Sequence, residues 1–256
     1  MLRENCVMLN WNRSAKINVK VLSILLVIVA AIGVSLFAAR HVRRRLLSRM
    51  DLNAGQAAYD KKDWPVAYRH FQGYLSRNPD DLEILKKYAE ARMHIRPLDM
   101  GAIGRAIAAY RRIIQLDPLD EMAYDQLAKL YTYIGNFDEL RYIANKRNEN
   151  NMPEDRKARL WLATALFRLN EADDANEVLD EFIKEFDYVE DKPDEYVQAC
   201  MLMGDIILAD DSDDSDQARV ESALAFLTKA VEGVPKPVEA LANRARLYRG
   251  KSQIPR

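Results

Sequence analysis

The side chains with the most reactive chemistry in this sequence are three histidines and two cysteines. His41, His70 and His94 are widely separated, and none is followed by a metal-ligating side chain one helical turn further along. Cys6 and Cys200 belong to no C-x-x-C motif, which argues against a zinc site and a disulfide framework. We therefore expect no metal and no cofactor at these residues, and surface or packing roles for the histidines.

A run of carboxylates at residues 210–216 gives the strongest local signal for ion binding. Counted from Asp210, carboxylates or hydroxyls recur at alternate positions, and Glu221 stands twelfth, as in a calcium-binding loop. Ser215 occupies the position at which such a loop needs glycine for its sharp turn. We favour a solvated acidic loop between two helices, with Asp216 near the start of the second, and keep calcium binding as the alternative.

Sequence motifs of common enzyme classes are absent. The chain contains no G-x-x-x-x-G-K-[ST], G-x-G-x-x-G, G-x-S-x-G or H-E-x-x-H, the patterns that cradle phosphates, present a nucleophile or hold zinc. We therefore expect no catalytic residue and no small-molecule substrate. A catalytic domain beyond Arg256 remains an alternative.

The charges of the chain are divided between its two ends, although its net charge is only -1. Residues 1–50 carry nine Lys/Arg against one Glu, whereas the rest of the chain carries 29 Lys/Arg against 38 Asp/Glu. An acidic body repels phosphates, so we expect no nucleic-acid partner. Glycine and proline are scarce, at nine each, which favours helix as the main secondary structure.

An uncharged apolar run of nineteen residues at positions 21–39 predicts a transmembrane helix. At the α-helical rise it would span about 28 Å, close to the hydrocarbon thickness of a bilayer. It follows a basic tail (residues 1–20) and precedes a basic juxtamembrane linker (residues 40–47), whose Arg43-Arg44-Arg45 suits anionic lipid headgroups better than nucleic acid. A cleaved signal peptide and a buried core helix are the alternatives.

The orientation of this single span stays open. Five arginines follow the run and four basic residues precede it, so the positive-inside rule slightly favours a cytoplasmic body. The short N-terminal tail is itself basic, which favours the opposite placement.

Two segments downstream repeat one pattern of small, aromatic and proline residues. In each, an alanine precedes an aromatic residue by four positions, and a proline follows the aromatic after eight; these residues are Ala67, Phe71, Pro79 and Ala106, Tyr110, Pro118. The pattern resembles the second helix of the tetratricopeptide repeat (TPR) family, whose period is about 34 residues. Other residues at TPR positions continue the phase along residues 48–250: Gly55, Ala89, Ala128, Tyr131, Ala163, Ala175, Gly204, Ala223 and Pro235.

The resemblance implies an all-α fold, in which the transmembrane helix is followed by a TPR-type α-solenoid, a right-handed superhelix of antiparallel helix pairs. Small residues would let paired helices approach closely, and large residues would fill the space between neighbouring pairs. We divide the solenoid into five units and one extra first helix, followed by a tail at residues 251–256: the units are 48–81, 82–120, 121–153, 154–190 and 194–235. Unit two holds about five extra residues near Arg96-Pro97.

The same resemblance implies where a protein partner would bind. In TPR proteins the first helices line a concave groove, and the corresponding outward residues here are Asn53, Gln56, Lys86, Lys87, Glu90, Asp125, Gln126, Lys129, Trp161 and Thr164. Trp161 fits either binding or plain packing. Leu52 and Met122 stand where a carboxylate-clamping TPR domain has polar groups, so a receptor for chaperone tails is disfavoured.

These observations lead to one leading functional hypothesis, a membrane-anchored scaffold or adaptor that binds unidentified proteins in its groove. A chaperone-like assembly factor for exported or membrane proteins is the alternative from a different class.

Overall fold

The structure is a computed structural model that describes residues 19–97, 99–151, 155–186, 189, 192–209, 216–232 and 241–244. In these residues the chain forms ten α-helices and no strand, so the predicted all-α fold is confirmed. The helices are α1 Val19–Asp60, α2 Trp64–Leu75, α3 Leu82–His94, α4 Met100–Leu116, α5 Glu121–Ile134, α6 Phe137–Asn151, α7 Arg156–Arg168, α8 Ala172–Glu185, α9 Asp194–Ala209 and α10 Asp216–Glu232.

Helices that follow one another in the chain pack together, which makes an array of helix pairs rather than one bundle around a single core. The pairs are the second half of α1 with α2, then α3–α4, α5–α6, α7–α8 and α9–α10. Residues 241–244 are helical, at the predicted extra first helix. Residues 1–18, 210–215 and 251–256 and Pro235 lie outside the described residues.

Aspartates begin five of the helices. Each accepts a hydrogen bond from the backbone N–H three residues later, which satisfies one of the orphan donors of the first turn; the capping residues are Asp63, Asp81, Asp99, Asp120 and Asp155. Gly135 ends α5 in the left-handed conformation, at φ 72°, which glycine adopts without a Cβ clash. Local chemistry therefore sets the short turns between the helices.

The helical residues that carry the repeat pattern are buried in the pairs. They are Gly55, Ala67, Phe71, Ala89, Ala106, Tyr110, Ala128, Tyr131, Ala163, Ala175, Gly204 and Ala223. Pro79 and Pro118 lie exposed in the turns that follow α2 and α4. The turn between α3 and α4 occupies residues 95–99, where the sequence predicted extra residues, whereas the turn from α1 to α2 needs only residues 61–63.

Buried apolar side chains form three clusters that follow one another along the array. The first joins α1, α2 and α3, the second runs from α3 to α6, and the third runs from α7 to α10. Helix α3 contributes to the first two clusters, and α7 contributes Ala165 to the second and Ala163 to the third. These helices bury two faces, because each contacts its partner and the preceding pair.

Helix α1 extends far beyond the array toward the N-terminus. It is the one described helix long and apolar enough to cross a membrane, and no residue in its most apolar stretch is buried. Residues 40–47 are helical and join the apolar run to the first repeat without a break. The last two turns of α1 pack against α2 through Gly55 and Ala58.

Gly55→Ala and Gly204→Ala form a matched pair, because both glycines are buried in first helices but only Gly55 lies against an aromatic ring. A Cβ at Gly55 would lie 2.7 Å from Phe71 Cδ1, so the buried Phe71 ring or one of the two helices must shift, at a cost of about 1–3 kcal/mol. A Cβ at Gly204 would lie 3.6 Å from its nearest neighbours, an ordinary contact, and alanine should stabilise that helix by about 0.5–1 kcal/mol.

The measurement is urea unfolding of the full chain in mild detergent, followed by circular dichroism. We expect the two substitutions to change the free energy of unfolding with opposite signs. Equal changes would contradict the close approach of α1 and α2.

Candidate protein-interaction face

The first helices α1, α3, α5 and α7 each carry a stripe of exposed or half-buried side chains opposite the buried face. The positions recur at spacings of three and four residues, which places them on one side of a helix. We call these four stripes together the first-helix face; its members are Asn53, Gln56 and Asp60 on α1, Glu83, Lys86, Lys87, Glu90 and His94 on α3, Met122, Asp125, Gln126, Lys129 and Tyr133 on α5, and Lys157, Trp161, Thr164 and Arg168 on α7.

Hydrogen bonds join the stripes of α1 and α3. Lys87 Nζ donates to Gln56 Oε1 over 2.8 Å and to Glu83 over 2.6 Å, and the Tyr59 hydroxyl donates to the Glu90 carboxylate. The pairs that link the two helices are each 31 residues apart, close to one repeat period. Neighbouring first helices therefore lie side by side, and Gln56, Lys87 and Glu90 take part in holding them there.

The face continues from α3 to α7 through two further ion pairs. Lys86 bonds to the buried carboxylate of Asp120 at the start of α5, and Lys157 Nζ on α7 lies 2.7 Å from Asp125 Oδ2 on α5. The hydrogen bond from Lys157 to Asp125 raises the pKa of that lysine against its partial burial, so the cation persists at neutral pH.

Arg147, which the sequence did not single out, lies under this face. Its side chain is only 3% exposed, and its guanidinium lies 2.7 Å from Asp125 Oδ1 and 2.5 Å from Asp155 Oδ2. These bonds connect α6 to α5 and to the capping residue of α7. Burial of the guanidinium would lower its pKa, but the hydrogen bonds to Asp125 and Asp155 outweigh burial and raise it.

Trp161 combines the two roles that the sequence left open for it. It is half-buried and packs against the second apolar cluster, and the Arg147 guanidinium lies 5.0 Å from its ring centroid. Cation–π contact and packing therefore orient the ring. Thr164 is also half-buried, and its hydroxyl donates to the Leu160 carbonyl over 2.8 Å.

Another part of the face is not used to join helices. Asn53 and Lys129 are exposed, Gln126 is half-buried, and Lys129 has no ion pair within the described part of the chain. Met122 and Tyr133, which the sequence analysis did not propose for binding, share the stripe of Lys129 and are 45% and 73% exposed. Met122 precedes Gln126 by four residues and Tyr133 follows it by seven. This helical spacing places them on the same side of α5 and could have identified them from the sequence.

Burial, followed by the Glu90 carboxylate, raises the pKa of the Tyr59 hydroxyl far above its ordinary value. This group is therefore a fixed donor at neutral pH rather than an acid or base.

No group of three or more His, Cys, Asp or Glu side chains in the described ranges is arranged to hold a metal ion. The predicted acidic loop at residues 210–216 lies almost entirely outside those ranges.

Comparison with known proteins agrees with the repeat pattern. Family models described as tetratricopeptide repeat match residues 52–121 and residues 157–187. Comparison with curated proteins finds no significant match.

Solved structures show the same fold at low sequence identity. The chain is similar to the crystal structure of the MamA protein, with 20% identity over 75% of this chain and 94% of that chain, at a TM-score of 0.54. It is also similar to MamA 41-end from Desulfovibrio magneticus RS-1, with 16% identity over 73% of this chain and 94% of that chain, at a TM-score of 0.52. The helical array is therefore a TPR-type α-solenoid.

Arg147→Ala should destabilise the solenoid by about 3 kcal/mol, because it removes a buried guanidinium that pairs with Asp155 and shares Asp125 with Lys157. Arg112→Ala is the control: its ion pair with Asp80 is exposed on both sides, and its loss should change the free energy of unfolding by about 1 kcal/mol or less. Urea unfolding of both variants in mild detergent gives the two values. Similar values would mean that the buried arginine does not join α5, α6 and α7.

Proposed function

We propose that this protein is a membrane-anchored scaffold that binds partner proteins on its first-helix face. The observation that carries the proposal is the stripe of α5, where Lys129 and Tyr133 are exposed while the neighbouring polar groups already bond to one another. Side chains that folding does not use are available to a partner. A TPR-type fold with two matching family segments supports protein binding over catalysis.

The proposed partner presents an extended segment or a helix with mixed polar and apolar side chains. Tyr133 and the accessible part of Trp161 would bury apolar area, which is how aromatic residues dominate binding energy at interfaces. Lys129 would pair with a carboxylate of the partner, since its ammonium has no ion pair in the described chain. The proposal assigns the chain no catalytic role, no cofactor and no nucleic-acid partner.

The anchor is the apolar half of α1. Its exposed side chains would be costly in water and stable in hydrocarbon, and its length suits a bilayer. Because residues 40–47 continue the helix, a retained span would hold the first repeat directly at the membrane surface and raise its concentration near membrane-bound partners. The positive-inside rule slightly favours the cytoplasmic side for the solenoid, because five arginines follow the span and four basic residues precede it.

The experiment expresses the full chain in cells and begins with an alkaline wash of the isolated membranes. A retained span keeps the unshortened chain in the washed membranes, whereas a cleaved signal peptide releases a chain that lacks residues 21–39. Release of the chain would contradict the anchor.

The same membranes serve to test the face by crosslinking and affinity purification. Lys129→Glu should reduce capture of specific partners about tenfold or more, because charge reversal at a contact costs at least about 1.4 kcal/mol. Lys184→Glu, on the second helix α8 with a side chain 68% exposed, is the matched control and should capture as the unaltered chain does. Equal capture by all three chains would contradict binding on this face, and unselective suppression of aggregation would favour the chaperone alternative.

A further inference from the structure

A basic cavity of about 450 Å³ opens between α1 and the end of α2, next to the apolar half of α1. Helix α1 lines it with His41, Arg44, Arg45 and Arg49, and the residues after α2 line it with Arg77 and Asn78. The α1 residues recur at spacings of three and four, so they form one stripe that faces the end of α2. The cavity is separate from the first-helix face.

Hydrogen bonds fix the floor of this cavity. Asn78 Nδ2 donates to Ser48 Oγ over 2.6 Å and to the Tyr74 carbonyl over 3.3 Å. Arg77 donates to Asp51 Oδ2 over 2.6 Å and to the Gly73 carbonyl over 2.7 Å. These contacts hold α1 against the end of α2, so the fold fixes the floor of the cavity, while the arginines of α1 line it as exposed side chains.

The cavity carries positive charge that the described chain does not neutralise. Residues 40–50 contain no acid, and Arg44, Arg45 and Arg49 make no ion pair within the described residues. Asp51 is the nearest carboxylate in sequence, and it is already bonded to Arg77 and His70. Burial would raise the pKa of Asp51, but those two bonds together lower it, so the carboxylate stays ionised and committed to its partners.

If α1 spans the bilayer as proposed above, the cavity lies at the level of the lipid headgroups. The uncharged run ends at Ala39, and at the helical rise Arg44 and Arg45 lie about 8–9 Å beyond it. The headgroup region on each side of a bilayer is about 5–8 Å thick. The side chains of Arg44 and Arg45 are therefore long enough to reach the phosphates of the adjoining leaflet.

We infer that this cavity binds the phosphate group of an anionic phospholipid. Guanidinium groups pair with phosphate oxygens through two parallel N–H donors, so Arg44 and Arg45 can hold one phosphate from two sides. The Asn78 amide and the Ser48 hydroxyl lie at the same cavity as neutral hydrogen-bonding groups. A bound lipid would join the anchor helix to the first repeat and fix the angle of the solenoid to the membrane. Free phosphate shares this chemistry, and its lack of acyl chains separates it from a lipid in the test.

The test compares three full-length chains in mild detergent: the unaltered chain, Arg44→Gln with Arg45→Gln, and Arg40→Gln with Arg43→Gln. The last is the matched control, because it removes the same charge from the same exposed segment of α1 at positions that do not line the cavity. Native mass spectrometry follows retention of phosphatidylglycerol, with phosphatidylcholine and inorganic phosphate titrated in parallel.

We expect the unaltered chain and the control to retain phosphatidylglycerol over phosphatidylcholine, and the cavity variant to bind it about tenfold or more weakly. Equal weakening in both variants would mean that charge alone attracts the lipid, and no weakening in either would mean that the cavity is not the site; both results overturn the inference. Inorganic phosphate that binds as tightly as the lipid would overturn the lipid as the ligand. Retention of each chain in alkali-washed membranes tests the anchor separately, so a failed anchor and a failed cavity give different results.

Discussion

Apolar side chains in this protein are covered only when one helix pair stacks on the next. Helix α3 shows the constraint most clearly: Ile84 and Ala91 belong to the cluster shared with α1 and α2, whereas Leu85 and Ala89 belong to the cluster shared with α4 to α6. A helix that must be buried on two sides has only a narrow stripe left for solvent. The close approach at Gly55 and the stacking of the pairs in chain order both follow from that requirement.

Polar contacts then decide which part of the remaining surface is free. The bonds Gln56–Lys87, Tyr59–Glu90 and Asp125–Lys157 join side chains 31 or 32 residues apart, so the repeat period that aligns the cores also aligns the polar stripes. These bonds are partly exposed and individually weak, but they occupy groups that a partner would otherwise meet. Lys129 and Tyr133 are left available on α5, and the arginines of α1 are left available beside α2.

Much of the fold followed from the sequence because small and large residues recur at fixed spacing. The Ala67, Phe71 and Pro79 pattern predicted a second helix and its end, and α2 ends at Leu75, four residues before the proline. Residues 40–47 were assigned as a linker from their charge, but arginine and leucine are good helix formers and nothing there stops α1. Arg147 could not be found from spacing, since its carboxylate partners come from α5 and from the turn before α7. The sequence also could not predict that Gln56, Lys87 and Glu90 bond to neighbouring helices. A repeat pattern predicts which positions face outward, but not which outward side chains pair with one another.

The stacking of first helices one repeat apart is the central claim, and the most direct measurement is thiol crosslinking of paired cysteines in the full chain. With the two native cysteines replaced, Gln56→Cys with Lys87→Cys should react fully with a short bifunctional thiol reagent, because the side chains at these positions are in contact. Gln56→Cys with Lys129→Cys, two units apart in the array, should not react under the same conditions. Equal crosslinking of both pairs, or none at the first, would contradict a solenoid in which each pair covers the next.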